Sequence, residues 1–278
     1  MILPIADRFV AGESPATALD HARRWNAKDV KVILNLLGEH YDDPEDVAAD
    51  TEEYRTLLSD IASAGLDVCI SVKPSQIGLD LGRDVFEENL ASIVEAADEE
   101  GEFVWVDMED HTTTDATLDA FERLVTDRGG GMGVCLQANL KRTKSDVERF
   151  ADLPGKIRLV KGAYEEPAEI AYTEKERINT AYRELLTTMF ETYEGGIAIG
   201  SHDPAMVDLG RTLHERWGTP FEIQMLMGVR EDAQVELARE YEVWQYTPYG
   251  SRWASYFYRR LMERKGNALF AARAIVGR

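Results

Sequence analysis

The chain has 278 residues, with 31 Lys and Arg against 51 Asp and Glu, a formal net charge of −20. That balance excludes a protein that grips nucleic acid through a basic face, because phosphates are repelled. A hydrophobic content of 44 % excludes disorder, and no run of ~18 apolar residues is present to span a bilayer.

The length suits one (β/α)8 barrel of ~250 residues or two ordinary domains. Cys69 and Cys135 both lie inside apolar runs. They read as small core residues of a reducing compartment, not as a disulfide or a zinc site. Only 9 of the 31 cations are Lys and 22 are Arg. The acid excess reads as a halophilic surface, adapted to a salty cytosol where salt screens the repulsion between carboxylates. An ordinary acidic enzyme is the alternative. The first residues, MILPIADR, are too short an apolar run for a signal peptide. A cytoplasmic protein is expected, with peripheral contact at the inner face of the membrane left open.

An added helix is expected before about residue 28. Short β-branched runs then recur at 30–37, 67–73, 103–107, 132–137, 157–161, 197–201, 220–226 and 242–246. Runs that are apolar throughout suit strands buried on both faces of a parallel sheet. Stretches of helical length lie between them, among them 48–64, 84–98, 175–193 and 204–217, the last opening on Pro204 as a first-turn residue. Eight alternating units point to an α/β chain closed as a single (βα)8 TIM-type barrel, one domain over 1–278. A doubly wound sheet is weaker, because the glycines at 129–131 precede a strand and lack the dinucleotide spacing. No Walker loop, HExxH or nucleophile elbow is present.

Barrel enzymes keep their chemistry at the C-terminal ends of the strands. Strand one ends toward Glu39, strand two at Lys73, and strand three at Asp107 with Glu109 and Asp110 beyond. Strand four ends at Gln137, strand five at Arg158 and Lys161, and strand six at His202 and Asp203. Strand seven carries Gln224 and strand eight ends at Tyr246. A single charge of this kind is as well explained by a satisfied core ion pair. Eight polar ends at one level are not.

The segment 252–265 reads as a last helix over the barrel mouth, with Tyr256, Arg259, Arg260 and Glu263 on one face. Two arginines beneath a tyrosine can grip a carboxylate bidentately; a solvated face paired to Glu263 is the plainer reading. The preceding Tyr246-Thr-Pro-Tyr-Gly250, which delivers the helix to the mouth, favours the clamp.

With these residues in place the chain resembles the proline dehydrogenases, FAD-dependent (βα)8 barrels, from about Arg8 to Asn267. The segments that carry the resemblance are 157–164 (IRLVKGAY), 221–228 (FEIQMLMG) and 246–267 (YTPYGSRWASYFYRRLMERKGN). Further support comes from 34–39 (LNLLGE), 71–78 (SVKPSQIG), 105–109 (WVDME) and 200–203 (GSHD). The continuation EEPAEIAY at 165–172 is similar to the short monofunctional members.

The resemblance implies oxidation of L-proline to 1-pyrroline-5-carboxylate, the first step of proline catabolism to glutamate, with electrons passed to a quinone. It implies catalytic positions at Asp107 and Arg158. Lys73, Tyr246, Tyr256, Leu226, Arg259 and Arg260 would take the substrate. The flavin would lie against Met108, Gln137, Val160, Lys161, Gly162, Ser201, His202 and Gln224. Glu39 would pair with Arg259 and close the site as a lid. Asn35, Asn139 and Met227 depart from the family's usual Asp, Tyr and Tyr. The residue types agree with the chemistry: cations stabilise an electron-rich reduced isoalloxazine, and an anchored carboxylate fixes the reacting carbon.

Two other readings stand beside this one. A Schiff-base barrel aldolase would use Lys161 or Lys73 as nucleophile if its pKa were depressed. A barrel without activity, serving as a scaffold, would have lost charged strand-end residues, and none is lost.

Overall fold

A computed structural model describes residues 8–253. The first helix, α1 (Pro15–Asn26), precedes β1 (Lys31–Leu36), and the units α2 (Pro44–Ala64), β2 (Val68–Val72), α3 (Arg83–Glu100) and β3 (Val104–Val106) follow. Next come α4 (Thr114–Arg128), β4 (Met132–Gln137), α5 (Thr143–Arg149), β5 (Lys156–Val160), α6 (Lys175–Thr192) and β6 (Gly196–Gly200). The last are α7 (Pro204–Trp217), β7 (Phe221–Leu226), α8 (Glu231–Leu237) and β8 (Glu242–Tyr249). All neighbouring strands pair in parallel, and β8 returns to β1 to close an eight-stranded barrel. The (βα)8 architecture and the added N-terminal helix are those the sequence alternation implies. The expected C-terminal helix lies outside the described residues.

Local chemistry starts and stops the helices where the sequence shows it. Helix α2 opens on Asp43, whose side chain accepts from Glu45 N, with Pro44 in its first turn. Helix α7 opens in the same way on Asp203 and Pro204. Such caps satisfy amide groups that the first turn leaves without partners. Helices α2, α3, α4 and α7 end on glycines in the left-handed conformation.

Alternation along the strands separates two cores. Outward residues such as Val32, Leu34, Ile70, Val104 and Val106 pack beneath the helices in one large cluster. Inside the barrel, Ile33, Cys69, Trp105 and Ala198 form a small apolar plug, flanked by Phe103, Trp244 and Tyr246. Above the plug the inward positions turn polar: Ser71 on β2, Asp107 after β3, Gln137 on β4, Arg158 on β5, Gln224 on β7. The barrel therefore has a small apolar layer beneath a polar, charged upper half, which places the chemistry toward the C-terminal ends of the strands.

Strand β8 runs further than its apolar pattern indicates, pairing with β1 to Leu36↔Tyr249. Pro248 is tolerated there because β7 pairs with β8 only as far as Tyr246, so no neighbouring strand needs a proline N–H. The Pro248 carbonyl instead accepts from Ala11 N at 2.8 Å.

Trp105 fills the barrel only because β4 carries Gly133 beside it: a Cβ there would sit 2.5 Å from the indole ring and 2.9 Å from the Lys156 carbonyl oxygen. Gly133→Ala is expected to destabilise the fold by about 1–3 kcal/mol, as overpacking does. Thermal melting of variant and parent checks this.

Candidate active site

A cavity of about 370 Å³ opens above the plug. At its base stands the Asp107 carboxylate, placed by the end of β3. Its Oδ1 accepts from Ser71 Oγ at 2.6 Å and from the Arg158 guanidinium. Its Oδ2 accepts from Lys73 Nζ at 2.6 Å and from Tyr246 OH at 2.6 Å. Lys73 also donates to Tyr246 OH at 3.3 Å. Four donors from three other strand positions around the barrel, β2, β5 and β8, thus converge on one carboxylate. Arg158 is 4 % exposed and its guanidinium lies 5.0 Å above the Trp105 ring centroid.

The charges are unequal. Two cations, Lys73 and Arg158, share the single anion Asp107. Burial opposes ionisation of Asp107, and the fields of Lys73 and Arg158 outweigh it, holding the carboxyl well below its usual range. Burial likewise opposes the Lys73 ammonium, and Asp107 with Tyr246 outweighs that, raising Lys73 well above an ordinary lysine. Lys73 is therefore a permanent ammonium. Burial and the neighbouring Asp107 raise the Tyr246 phenol, which stays protonated as a donor.

A second group sits higher on the wall. Lys161, just past β5, donates to Asn179 Oδ1 and Asp203 Oδ2, both at 2.7 Å. Its charge is thus offset, and Asp203 serves as helix cap and counter-ion together. His202 Nε2 accepts from Leu226 N at 2.8 Å, so the neutral ring carries its proton on Nδ1. Gly162 has φ of +108°, and a Cβ there would fall 2.0 Å from Asn139 Oδ1. The cavity wall can come this close to Asn139 only as glycine.

The family profile described as proline dehydrogenase matches residues 18–273. The proline dehydrogenase of Deinococcus radiodurans is 36 % identical, over 98 % of this chain and 90 % of that protein. Proline dehydrogenase 1 of Bacillus subtilis is 33 % identical over 98 % of this chain and 90 % of its own length. The chain belongs to the proline dehydrogenase family.

The barrel is also similar to solved structures of proline utilization A. That of Bdellovibrio bacteriovorus, inactivated by N-propargylglycine, superposes with a TM-score of 0.87 at 23 % identity, over 95 % of this chain and 33 % of that one. That of Corynebacterium freiburgense gives 0.81 at 20 % identity, over 97 % and 32 %. The chain spans about a third of those proteins, and the likeness is one of fold.

Of the residues that the family resemblance singles out, Lys73, Asp107, Arg158, Leu226 and Tyr246 line the cavity, as does Glu39 after β1. Met108, Gln137, Val160, Lys161, Gly162, His202 and Gln224 line it too. Ser201 is buried behind the wall, its hydroxyl accepting from Asp203 N. Tyr256, Arg259 and Arg260 lie outside the described residues. Among the departures, Asn35 lines the cavity and donates to the Ser71 carbonyl at 2.8 Å, while Asn139 and Met227 are buried beside it.

Two residues escaped the sequence reading. Ser71 binds Asp107 directly, and its only signal was its inward parity with Lys73, two residues on. Tyr164 lines the cavity at the end of the quoted IRLVKGAY run. Glu109 and Asp110 are structural: the buried Glu109 accepts from Ser75 N and Oγ, and Asp110 from Thr112.

Asp107→Asn would leave Lys73 and Arg158 facing each other without an anion. A loss of about 3–5 kcal/mol is expected, as for a broken buried pair. The depressed pKa of Asp107 fixes the sign of the pH effect. The unfolded state takes up its proton near the ordinary 3.8 and the folded state only at lower pH. Asp107 thus contributes stability above that point and loses it as pH falls. Urea unfolding between about pH 6 and 3 should show a shallower acid slope for Asp107→Asn than for the parent.

Proposed function

We propose that this proline dehydrogenase oxidises L-proline to 1-pyrroline-5-carboxylate in this cavity, with FAD as cofactor and a quinone as final electron acceptor. The observation that carries the reading is the Asp107 cluster. A buried carboxylate saturated by four donors leaves one cation in excess at the base of a cavity. An amino-acid carboxylate and an electron-rich reduced ring are both stabilised there.

The residues present suit a flavin. The wall offers the Gln137 and Gln224 amides, the His202 imidazole and the Lys161 ammonium, with an approach of bare backbone at Gly162. Met108, Gln137, Val160, Lys161, Gly162, Ser201, His202 and Gln224 are the residues we assign to it. FAD, when bound, supplies a hydride acceptor that no side chain offers.

The chain's own part is binding and orientation. Lys73, held charged by Asp107, attracts the substrate carboxylate; Arg259 and Arg260 complete the clamp, and Leu226 and Tyr256 shape the ring pocket. Lys73 and Arg158 keep Asp107 ionised, and Ser71 and Tyr246 donate to it and complete its hydrogen bonding. Glu39 is assigned as the lid partner of Arg259.

The same geometry weighs against the aldolase. A Schiff-base lysine needs a depressed pKa to present a neutral amine. Lys73 is raised instead, and Lys161 is committed to Asp203.

Purified protein should show flavin absorption bands that bleach when L-proline is added without oxygen. Bands unchanged by proline, or borohydride trapping of a substrate on Lys73 or Lys161, would overturn the reading. Arg259→Met and Arg260→Met should each raise the proline KM by about 10- to 150-fold with flavin content little changed, the worth of a charge-assisted contact. An unchanged KM would remove that arginine from the clamp.

We also propose that the enzyme works in a salty cytosol, meeting the inner face of the membrane only where its acceptor lies. No helix among the described residues is long and apolar enough to cross a membrane. With 51 acidic against 31 basic residues, the melting temperature should rise with KCl toward molar concentrations, where the Debye length is about 3 Å. A flat or falling melting curve would contradict the salt adaptation.

A further inference from the structure

A line of polar side chains runs down the inside of the barrel beneath the site. Arg158 Nη1 donates to Gln224 Oε1 at 3.1 Å. Gln224 Nε2 donates to Glu222 Oε1 at 2.6 Å. Glu222 Oε2 accepts from Lys156 Nζ at 2.5 Å. Lys156 and Arg158 are on β5, Glu222 and Gln224 on β7, and β6 lies between them. The contacts cross β6 because its inward residues are Gly196, Ala198 and Gly200, level with Lys156, Arg158 and Val160. A Cβ on Gly196 would strike the Lys156 side chain at 2.6 Å, and one on Gly200 would crowd Val160 at 2.7 Å.

The order of donors and acceptors along this line has one solution. A guanidinium only donates and a carboxylate only accepts. The amide between them must turn its NH2 toward Glu222 and its carbonyl toward Arg158. The charge at the foot of the barrel and the guanidinium bound to Asp107 therefore hold the Gln224 amide in one orientation from its two ends.

We propose that Glu222 is a positioning residue for the reaction: through the Gln224 amide it holds Arg158 in the orientation that binds Asp107. The inference rests on the reading above that Arg158 and Asp107 stand at the reacting end.

Glu222 is 3 % exposed, and burial pushes its carboxyl up while Lys156 pulls it back toward the charged form. The groups facing it are Lys156 from β5, Gln224 on its own strand, Glu242 from β8 and the Cys69 thiol from β2. Glu242 is itself held by Lys31 at 3.4 Å and by Trp244 Nε1 at 2.7 Å. Lys156 is thus the nearest cation that keeps Glu222 ionised. Once Glu222 binds a proton its hydrogen bond from the Gln224 NH2 is no longer charge-assisted, and the hold of the amide on Arg158 loosens.

The test is the pH dependence of kcat and KM for proline in Lys156→Met, Glu222→Gln and the double variant, each with its flavin absorbance recorded. Lys156 is partly exposed at the foot of the barrel, away from the cavity, so its loss leaves the substrate contacts in place. Lys156→Met should gain an acidic limb in kcat, falling about tenfold toward pH 6, with KM and flavin content near those of the parent. The limb should be gone in the double variant. Glu222→Gln alone should lower kcat about tenfold at every pH, the cost of a lost charge-assisted hydrogen bond.

A Lys156→Met profile that overlays the parent would overturn the proposal, as would a limb that survives in the double variant. Should Lys156→Met not fold, Glu222→Gln decides: kcat equal to the parent's would equally overturn it. Either failure is distinct from a failure of the functional reading, which would show as a parent enzyme whose flavin proline does not reduce.

Discussion

The carboxylate of Asp107 ties β3 to β2, β5 and β8 through Ser71, Lys73, Arg158 and Tyr246. Burying an isolated carboxylate costs several kcal/mol, and burying two cations costs more; only complete hydrogen bonding makes the arrangement stable. None of the three charges could be there without the others. Because there are two cations and one anion, the base of the cavity is positive within a chain of net charge −20. An acidic surface repels anions at long range, so a local positive pocket also marks where an anionic substrate can settle.

The layers of the barrel make this cluster affordable. Trp105, Ile33, Cys69 and Ala198 form an apolar layer below, and Trp105 gives Arg158 a ring to lie over. Gly133 makes room for the indole, and the small inward residues of β6 let β5 and β7 side chains meet across the barrel. Small residues on two strands thus admit large side chains on their neighbours. The outer apolar cluster between strands and helices is separate and carries most of the packing.

Much of this was legible in the sequence. Strands covered on both faces are apolar along most of their length, so all eight runs stood out, and the helices between them opened on caps such as Asp203-Pro204. The polar C-terminal ends of those strands then lined up Lys73, Asp107, Arg158, Gln224 and Tyr246. What the pattern could not give was pairing across the barrel. Ser71 reads as one hydroxyl in an apolar strand until Asp107 is seen beside it. Lys161 reads as a free cation until Asp203 and Asn179 reach it from two helices. Glu222 is hidden next to Gln224, since its partner Lys156 is 66 residues away. The extension of β8 through Pro248 depends on where β7 stops, which composition does not encode.

The central claim is that the excess positive charge around Asp107 binds the carboxylate of the substrate. Calorimetric titration with a five-membered-ring carboxylic acid that cannot be oxidised, beside its primary amide, measures this directly. The account predicts that the acid binds at least about tenfold more tightly than the amide, one charge-assisted hydrogen bond or more. Equal affinity for acid and amide would contradict it.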